Sequence, residues 1–484
     1  MSARNAVLSA CAMGAVLSVP LAPVAAQVTD IKDIRKPALK PFTPQQPLRL
    51  ALPNGMVVFL QEDHELPLIR GTARIRGGSR EEPGGKAGLV SIYGQVWRTG
   101  GTKTRKGDEL DDFLEARAAR VETGGGLDST FVSFDCLKGN LDEVLPVFED
   151  LLRNPEFRED KLSLAKTQQN TGIARRNDNP MGITAREARK LGYGANSPYA
   201  RVEEYATVAA VTRDDLLAWH RAAVHPNNMI LSVTGDFEAK AMEARLRKAF
   251  GGWARGPAAK KGEAAITEAK PGVYFVQKDD VNQSNIRMLH LGTTMKSPDY
   301  YALEVMNEVF GGGFSARLFS NIRSKKGLAY SVGGGVGMGF DYPGLFQLAM
   351  GTKSESTAAA IEALYEEIDN LLKAPPSADE LNRAKEAILN SFIFEFDSKQ
   401  KVMAQKALYE FYGYPPDFLE RYRAGIEKVT TADVARVSRQ YVHRDKIALL
   451  VVGKAQDFDK PLASFGPVTT LDITIPPPPE KKSN

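Results

Sequence analysis

The sequence predicts an α+β protein made of two homologous halves, each a mixed or antiparallel sheet packed with helices. The 484 residues, 43% of them hydrophobic, are too many for one ordinary domain and enough to build buried cores. Strand-like and helix-like patterns alternate along the chain. A block that begins at Val211 and contains His225 recurs at Val429 and His443, with an offset of 218 residues in both cases.

The repeated block predicts the same local structure twice. In each copy a threonine, Thr212 or Thr430, precedes a helix-compatible segment and is placed to cap its first turn. An apolar run follows each histidine and predicts a buried strand, at 230–235 in the first copy and 448–453 in the second. Both histidines therefore stand at a helix-to-strand turn, which favours a structural role for them over metal binding.

Periodic patterns predict five further elements in the first half. Short apolar or alternating runs predict strands at 56–60, 72–75 and 130–136, and helical spacing predicts helices at 109–119 and 141–152. Strands interleaved with helices in this way are typical of a layered α+β unit.

The N-terminus has the pattern of an export signal. Arg4 is followed by an apolar stretch at 6–21 and by small residues that end at Ala26, so we expect a secretory signal peptide cleaved after Ala26. The alternative is a lipoprotein signal that ends at Cys11, but the apolar region before Cys11 is shorter than the roughly 7 residues expected. Cleavage after Ala26 leaves Cys136 as the only thiol, and export without a disulfide favours a periplasmic location.

Composition divides the chain into segments. No apolar run after the signal approaches the roughly 20 residues that a membrane span needs. The formal net charge of +4 is spread along the chain without a basic block, which argues against a nucleic-acid partner. The predicted organisation is a signal peptide (1–26), an extended arm (27–46), a first domain (47–252), a linker of small and polar residues (253–271), a second domain (272–470) and a Pro-rich tail (471–484).

A glycine run in the second half is a candidate binding element. Gly311, Gly312 and Gly313 are followed by Phe314, and they predict a loop that leads into a helix and lets a ligand approach the backbone closely. The run has neither the G-x-G-x-x-G spacing of a dinucleotide loop nor the Gly-Lys-Ser/Thr ending of a P-loop.

Arg323 and Tyr330 follow the glycine run. A guanidinium presents a fixed fork of hydrogen-bond donors, and a phenol hydroxyl can donate to an oxygen that carries negative charge. From the residues alone, a solvated helix position for Arg323 and a packed strand position for Tyr330 are the simpler interpretations.

Several short motifs stand in an order that resembles one peptidase family. They are at 52–56 (LPNGM), 77–81 (GGSRE), 88–89 (GL), 100–102 (GGT), 225–228 (HPNN) and 311–332. In this order they resemble the pitrilysin-like zinc peptidases, the inverzincins, and the last resembles the mitochondrial processing peptidase branch in particular. The resemblance implies a chain that forms one half of a peptidase clamshell. It also implies that the glycine run with Phe314 helps to admit substrate, while Arg323 and Tyr330 bind the substrate backbone and stabilise the tetrahedral intermediate.

The same resemblance makes 88–95 the helix that carries the H-x-x-E-H zinc motif in active members. There, two imidazoles hold the metal and the carboxylate between them polarises its water. In this chain Ser91, Gly94 and Gln95 occupy the three positions, and Gly172 occupies the expected position of the third ligand. These residues supply no imidazole, carboxylate or thiolate, so the sequence predicts no metal in this chain.

Two further observations argue against catalysis by the chain itself. The segment 124–128 (GGGLD) stands where active members usually have an Asn-Ala pair that lines the cleft, which argues against substrate binding along the edge strand of the first half. A rebuilt metal site is disfavoured because no two histidines are four positions apart; they are His64, His220, His225, His290 and His443.

The sequence thus predicts a non-catalytic, substrate-binding subunit of a heterodimeric periplasmic zinc peptidase that acts on short or unfolded peptides. Zinc is expected in a partner chain of the same family with an intact H-x-x-E-H motif, and Arg323 and Tyr330 are expected to act on the substrate of that partner. The alternative is a scaffold that binds no peptide, like the peptidase-derived core subunits of the respiratory cytochrome complex. Retention of Arg323, Tyr330 and the glycine run favours the first prediction.

Overall fold

The computed structural model describes residues 43, 45–259, 266–267 and 270–480. The predicted signal peptide, most of the predicted arm and part of the predicted linker lie outside these residues. The strands are β1 (Leu48–Ala51), β2 (Val57–Glu62), β3 (Leu68–Arg76), β4 (Arg120–Gly125), β5 (Ser129–Leu137), β6 (Met229–Gly235), β7 (Gly272–Gln277), β8 (Gln283–Leu291), β9 (Thr293–Thr294), β10 (Ser331–Val336), β11 (Met338–Gly339), β12 (Leu345–Lys353), β13 (Ala448–Gly453) and β14 (Val468–Thr470). The helices are α1 (Leu89–Thr99), α2 (Gly107–Glu115), α3 (Leu141–Arg153), α4 (Glu159–Ala174), α5 (Pro180–Tyr193), α6 (Tyr205–Ala210), α7 (Arg213–Ala223), α8 (Ala239–Phe250), α9 (Tyr300–Asn307), α10 (Thr357–Lys373), α11 (Ala378–Glu395), α12 (Lys399–Tyr412), α13 (Phe418–Lys428) and α14 (Thr431–Tyr441).

The two large sheets share one topology, which confirms the predicted α+β fold of two homologous halves. The first sheet has the strand order β1-β2-β6-β3-β5-β4 and the second, read in the matching direction, β14-β7-β13-β8-β12-β10. In both, the second and third strands are parallel and the next three pairings are antiparallel. The outermost strand differs, because β1 runs antiparallel to β2 whereas β14 runs parallel to β7.

The predicted helix caps are present in both copies. The Thr212 hydroxyl accepts a hydrogen bond from the Asp215 amide at 3.3 Å, and the Thr430 hydroxyl accepts one from the Asp433 amide at 3.1 Å. Each aspartate carboxylate in turn accepts from the threonine amide, at 2.8 and 3.0 Å, so both helices begin with a capping box.

The helix predicted at 109–119 is shorter than expected. It is α2, which ends at Glu115, because Ala118 adopts a left-handed backbone with a φ of 47° that an α-helix does not allow. The strands predicted at 72–75 and 130–136 lie inside β3 and β5, and the helix predicted at 141–152 is α3.

Each half covers one face of the other half's sheet with a helix. Ile183 and Ala188 of α5, from the first half, pack with Leu450 and other residues of the second sheet. Met403 and Ala407 of α12, from the second half, pack with Phe59 and Ile230 of the first sheet. This reciprocal packing buries apolar surface that would otherwise face water, and it joins the two halves.

The described part of the predicted tail, 471–480, also contacts both halves. The Leu471 amide donates to the Phe275 carbonyl at 2.8 Å, which extends the contact of β14 with β7. The Asn177 side chain of the first half donates to the Ile473 carbonyl at 2.7 Å, and Ile475 packs against the first core. Among the helices of the described residues, none is long and apolar enough to cross a membrane.

Candidate functional site

The residues at the expected zinc-motif positions contact α4 through neutral polar groups. Ser91 and Gln95 of α1 both point toward α4 rather than into the core. The Ser91 hydroxyl accepts a hydrogen bond from the side-chain Nε2 of Gln169 at 2.7 Å, and the side-chain Nε2 of Gln95 donates to the side-chain Oε1 of Gln168. Gln168 and Gln169 were not found by sequence reasoning, because pairing between two helices far apart in the chain leaves no local pattern.

Gly172 lies three positions beyond Gln169 on the same helix, α4. It is exposed, and a Cβ atom built there meets no other atom within 4 Å. Zn²⁺ takes imidazole, thiolate or carboxylate ligands, whereas this face of α1 and α4 offers hydroxyl and amide groups that already bind one another. Within the described residues no cluster of three or more His, Cys, Asp or Glu side chains is arranged to hold a metal. The residues present do not fit zinc.

Gly94, at the expected position of the catalytic glutamate, is a point of backbone contact. A Cβ atom on Gly94 would lie 2.4 Å from the Gly125 nitrogen and 2.6 Å from the Gly124 carbonyl carbon. A Cβ on Gly125 would in turn lie 2.4 Å from the Val90 oxygen. The glycines of β4 and α1 therefore allow the helix to touch the strand directly, and a glutamate at position 94 would require one of them to move.

Helix α1 contacts β4, the edge strand of the first sheet. The Arg98 guanidinium donates to the Val121 carbonyl at 2.7 Å, and the Thr123 hydroxyl donates to the Gly94 carbonyl at 2.5 Å. A peptide that adds to a sheet needs the backbone groups of the edge strand, and one of those in β4, the Val121 carbonyl, already accepts from Arg98. This contact leaves one backbone acceptor fewer for a peptide that would add to β4.

The glycine run in the second half differs from the loop that the sequence predicts. Helix α9 continues as a π-helical turn over Glu308–Gly312, so Gly311 and Gly312 end a helix and the irregular segment begins at Gly313. Close packing requires a glycine at position 311, since a Cβ there would lie 2.4 Å from the Gly334 oxygen of β10. A second π-helical segment follows at Phe319–Lys325, and such segments are frequent at functional sites.

An ion pair and a buried carboxylate lie beside the segment between these π-helical turns. The Arg317 guanidinium makes two hydrogen bonds to the Glu380 carboxylate, at 2.7 and 3.0 Å, and these bonds lower the pKa of Glu380 to about 2. The carboxylate of Glu308 lies so close to Gly312 that a Cβ there would be 2.4 Å from its Oε2 atom, and burial raises the pKa of Glu308. Sequence reasoning missed Arg317, although it lies only four residues beyond the glycine run.

Arg323 and Tyr330 are both exposed in the structure. Arg323 lies in the second π-helical segment, and its guanidinium carbon is 4.6 Å from the centroid of the Phe319 ring. The Tyr330 amide donates to the Gly351 carbonyl at 3.0 Å, while 57% of the residue surface is exposed. Within the described residues neither the guanidinium nor the phenol hydroxyl has a hydrogen-bond partner, so both are available to a ligand.

Phe314 completes this surface. It is 81% exposed, and its ring lies edge-to-face with that of Phe319 at a centroid distance of 4.9 Å. Phe314, Phe319 and Arg323 thus form a continuous cluster, which we call the Arg323 stack.

The histidines provide no substitute for the lost ligands. His220 is buried, receives a hydrogen bond from the Tyr93 hydroxyl at 2.9 Å and lies 3.1 Å from the Leu152 carbonyl, and burial lowers its pKa to about 4. His290 and His443 lie side by side, but the His443 amide donates to Nε2 of His290, whose Nδ1 is 2.8 Å from the Leu291 carbonyl. These rings therefore serve packing and backbone hydrogen bonding.

Known families and proteins resemble this chain over most of its length. Residues 59–191 match the model of insulinase, peptidase family M16, and residues 210–388 match that of the peptidase M16 inactive domain. The non-peptidase homologue YmxG of Helicobacter pylori is 22% identical over 406 residues, which are 82% of this chain and 91% of that protein. An uncharacterised zinc protease YmxG of Bacillus subtilis is 25% identical over 366 residues, 74% of this chain and 86% of that protein.

Solved structures share the fold. A peptidase M16 inactive domain from Pseudomonas fluorescens superposes with a TM-score of 0.77 at 23% identity, covering 85% of this chain and 98% of that one. The periplasmic protease PqqL of Escherichia coli superposes with a TM-score of 0.71 at 15% identity, covering 86% of this chain and 46% of that one. The chain therefore belongs to peptidase family M16, as an inactive homologue.

Proposed function

We propose that this chain is the non-catalytic, substrate-binding subunit of a heterodimeric zinc peptidase. Its partner would be a second M16 chain with an intact H-x-x-E-H motif. The observation that carries the proposal is the contrast between two regions of the same chain. The expected zinc positions are filled by neutral groups that bind one another, whereas Arg323 and Tyr330 are exposed and have no internal hydrogen-bond partner among the described residues.

The chemistry of the two side chains fits this role. In peptide hydrolysis the carbonyl oxygen of the scissile bond gains negative charge, and donors that point at it stabilise the transition state more than the ground state. The Tyr330 hydroxyl can donate one hydrogen bond to that oxygen, and the Arg323 fork can bind the substrate backbone. The segment from Gly313 to Phe314 would line the entrance for the peptide.

The proposed location is the periplasm. The N-terminal pattern that ends at Ala26 supports export. Cys136 is buried, and burial raises the pKa of its thiol to about 11, so this thiol is poorly suited to redox chemistry in an oxidising compartment. The related fold of PqqL is that of a protein described as periplasmic.

Reconstitution tests the proposal. The chain is co-expressed with an M16 protein from the same genome that has H-x-x-E-H, and the two are isolated as a complex through a tag on one of them. A pool of unstructured peptides is then incubated with each chain and with the complex, and the products are analysed by mass spectrometry. We expect cleavage that requires both chains; full activity of the zinc chain in the absence of this one would contradict the proposal.

A scaffold function is the second candidate, and one observation favours it. Helix α1 packs directly against β4 through Gly94 and Gly125, and the Val121 carbonyl of this edge strand is already bound by Arg98, which disfavours peptide binding along β4. A scaffold would still assemble with a partner, but substitutions at Arg323 and Tyr330 would leave peptide cleavage by the complex unchanged. That comparison separates the two functions.

A further inference from the structure

Phe319 is the residue on which Arg323 rests. The two are four positions apart in the second π-helical segment, a spacing that brings side chains together on a helical surface. The guanidinium carbon lies 4.6 Å from the Phe319 ring centroid, which is within the range of a cation–π interaction. A guanidinium stacked on a ring keeps its N–H donors at its rim, where a substrate carbonyl can reach them.

The neighbouring cations are held in another way. Lys325 donates to the Asn321 side-chain oxygen at 2.9 Å, and Lys326 forms an ion pair with Glu366. Arg323 makes no ion pair or side-chain hydrogen bond within the described residues. Its contact with the Phe319 ring is therefore the interaction that fixes the position of the guanidinium.

The ring of Phe319 is itself oriented by a second ring. Phe314 meets it edge-to-face at an interplanar angle of 87°, a favourable geometry for two aromatic side chains. Phe319 is partly buried, whereas Phe314 is largely exposed. Phe319 thus lies between an aromatic ring and a cation, and it couples the residue after the glycine run to Arg323.

We propose that Phe319 is a positioning residue for Arg323, holding the guanidinium in the orientation in which it binds the substrate backbone. This rests on the proposed function, because the orientation matters only if Arg323 binds substrate. Without the ring, a long arginine side chain must give up its rotamer freedom when substrate arrives. The effect therefore falls mainly on substrate binding, and the strength of an exposed cation–π pair corresponds to a rise in KM of about two- to fivefold.

The test compares Phe319→Leu with Phe319→Tyr in the complex with the zinc-bearing partner, using one unstructured peptide that the complex cleaves. Leucine keeps an apolar side chain but removes the ring, whereas tyrosine keeps the ring. We expect Phe319→Leu to raise KM by about two- to fivefold with little change in kcat. Phe319→Tyr should keep the wild-type KM. Phe394→Leu is the matched control, because Phe394 is a 73% exposed phenylalanine outside the Arg323 stack; it should leave KM unchanged.

A double-mutant cycle separates positioning from a general structural effect. In an Arg323→Ala background, Phe319→Leu should cause no further rise in KM, because the group that it positions is gone. An equal rise in both backgrounds would overturn the proposal. If Arg323→Ala lowers kcat/KM while Phe319→Leu matches wild type, the proposed function stands and this inference fails; if Arg323→Ala has no effect, the proposed function itself fails.

A measurement on the chain alone checks the contact without any partner. In protein with isotopically labelled arginine, the Cδ–H resonance of Arg323 is assigned from its loss in Arg323→Lys. The Phe319 ring should shift this resonance upfield, and the shift should vanish in Phe319→Leu and persist in Phe319→Tyr. A resonance that is the same in wild type and Phe319→Leu would overturn the proposal.

Discussion

Gly94 and Gly172 occupy positions at which the family resemblance implies active-site residues. Replacing each by alanine should change the free energy of unfolding in opposite directions. Gly94 and Gly172 both lie in helices, and both stand where active relatives are expected to carry a carboxylate. A Cβ on Gly94 would be 2.4 Å from one backbone atom and 2.6 Å from another, whereas a Cβ on Gly172 meets nothing within 4 Å. Gly94→Ala therefore forces α1 away from β4, and Gly172→Ala does not disturb its surroundings.

The magnitudes follow from two opposing effects. Replacing glycine by alanine inside a helix stabilises it by up to about 1 kcal/mol. Overpacking against backbone that cannot rotate away costs about 1–3 kcal/mol, and the short Gly94 distances place this site at the upper end. We expect Gly94→Ala to lower the free energy of unfolding by about 1–2 kcal/mol and the melting temperature by about 1–2 °C. Gly172→Ala should raise stability by up to about 1 kcal/mol.

Thermal unfolding followed by circular dichroism measures both variants against wild type. Gly172→Ala serves as the control, because it carries the same chemical change in open space. A melting temperature of Gly94→Ala at or above that of wild type would refute the claim that α1 and β4 are in direct backbone contact.

Three further outcomes are expected. The purified mature chain should hold no stoichiometric zinc by elemental analysis and should cleave no peptide. The triple substitution Ser91→His, Gly94→Glu and Gln95→His should not create peptidase activity, because Gly172 still provides no third ligand. Stability should fall by roughly 2–4 kcal/mol as the pH drops from about 6.5 toward 4, since the unfolded chain takes up a proton on His220 before the folded chain does; denaturant titrations should show a flatter pH profile for His220→Gln. Cys136 should resist Ellman's reagent in the native state and react on unfolding, because it is fully buried in β5.

The fold could be predicted because its signals are local and occur twice. Capping threonines at Thr212 and Thr430 and the buried strands after His225 and His443 leave the same pattern 218 residues apart. Each pattern indicates a helix start or a strand through interactions between residues close in the chain. A single sequence is therefore enough to predict these elements. The C-terminal boundary of α2 was wrong because Ala118 adopts a left-handed backbone that its residue type does not announce.

The contacts at the site depend on packing between distant segments, which the sequence does not encode locally. Nothing near Ser91 indicates that Gln169 will bind it, and nothing near Gly94 indicates that β4 will close on it. The glycine run was expected to be a loop, but Gly311 and Gly312 lie at the end of a helix, and β10 approaches Gly311 closely. The stacking of Arg323 on Phe319 follows the four-residue spacing on a helix and was within reach of sequence reasoning.

The most direct test of the proposed function is the rate of peptide cleavage by the assembled complex when this chain carries Tyr330→Phe. The substitution removes one hydroxyl from an exposed ring, so assembly, measured by gel filtration, should not change. Loss of one oxyanion donor predicts that kcat falls by roughly 10²-fold or more. A complex that assembles normally and cleaves at the wild-type rate would show that this chain contributes no chemistry through Tyr330.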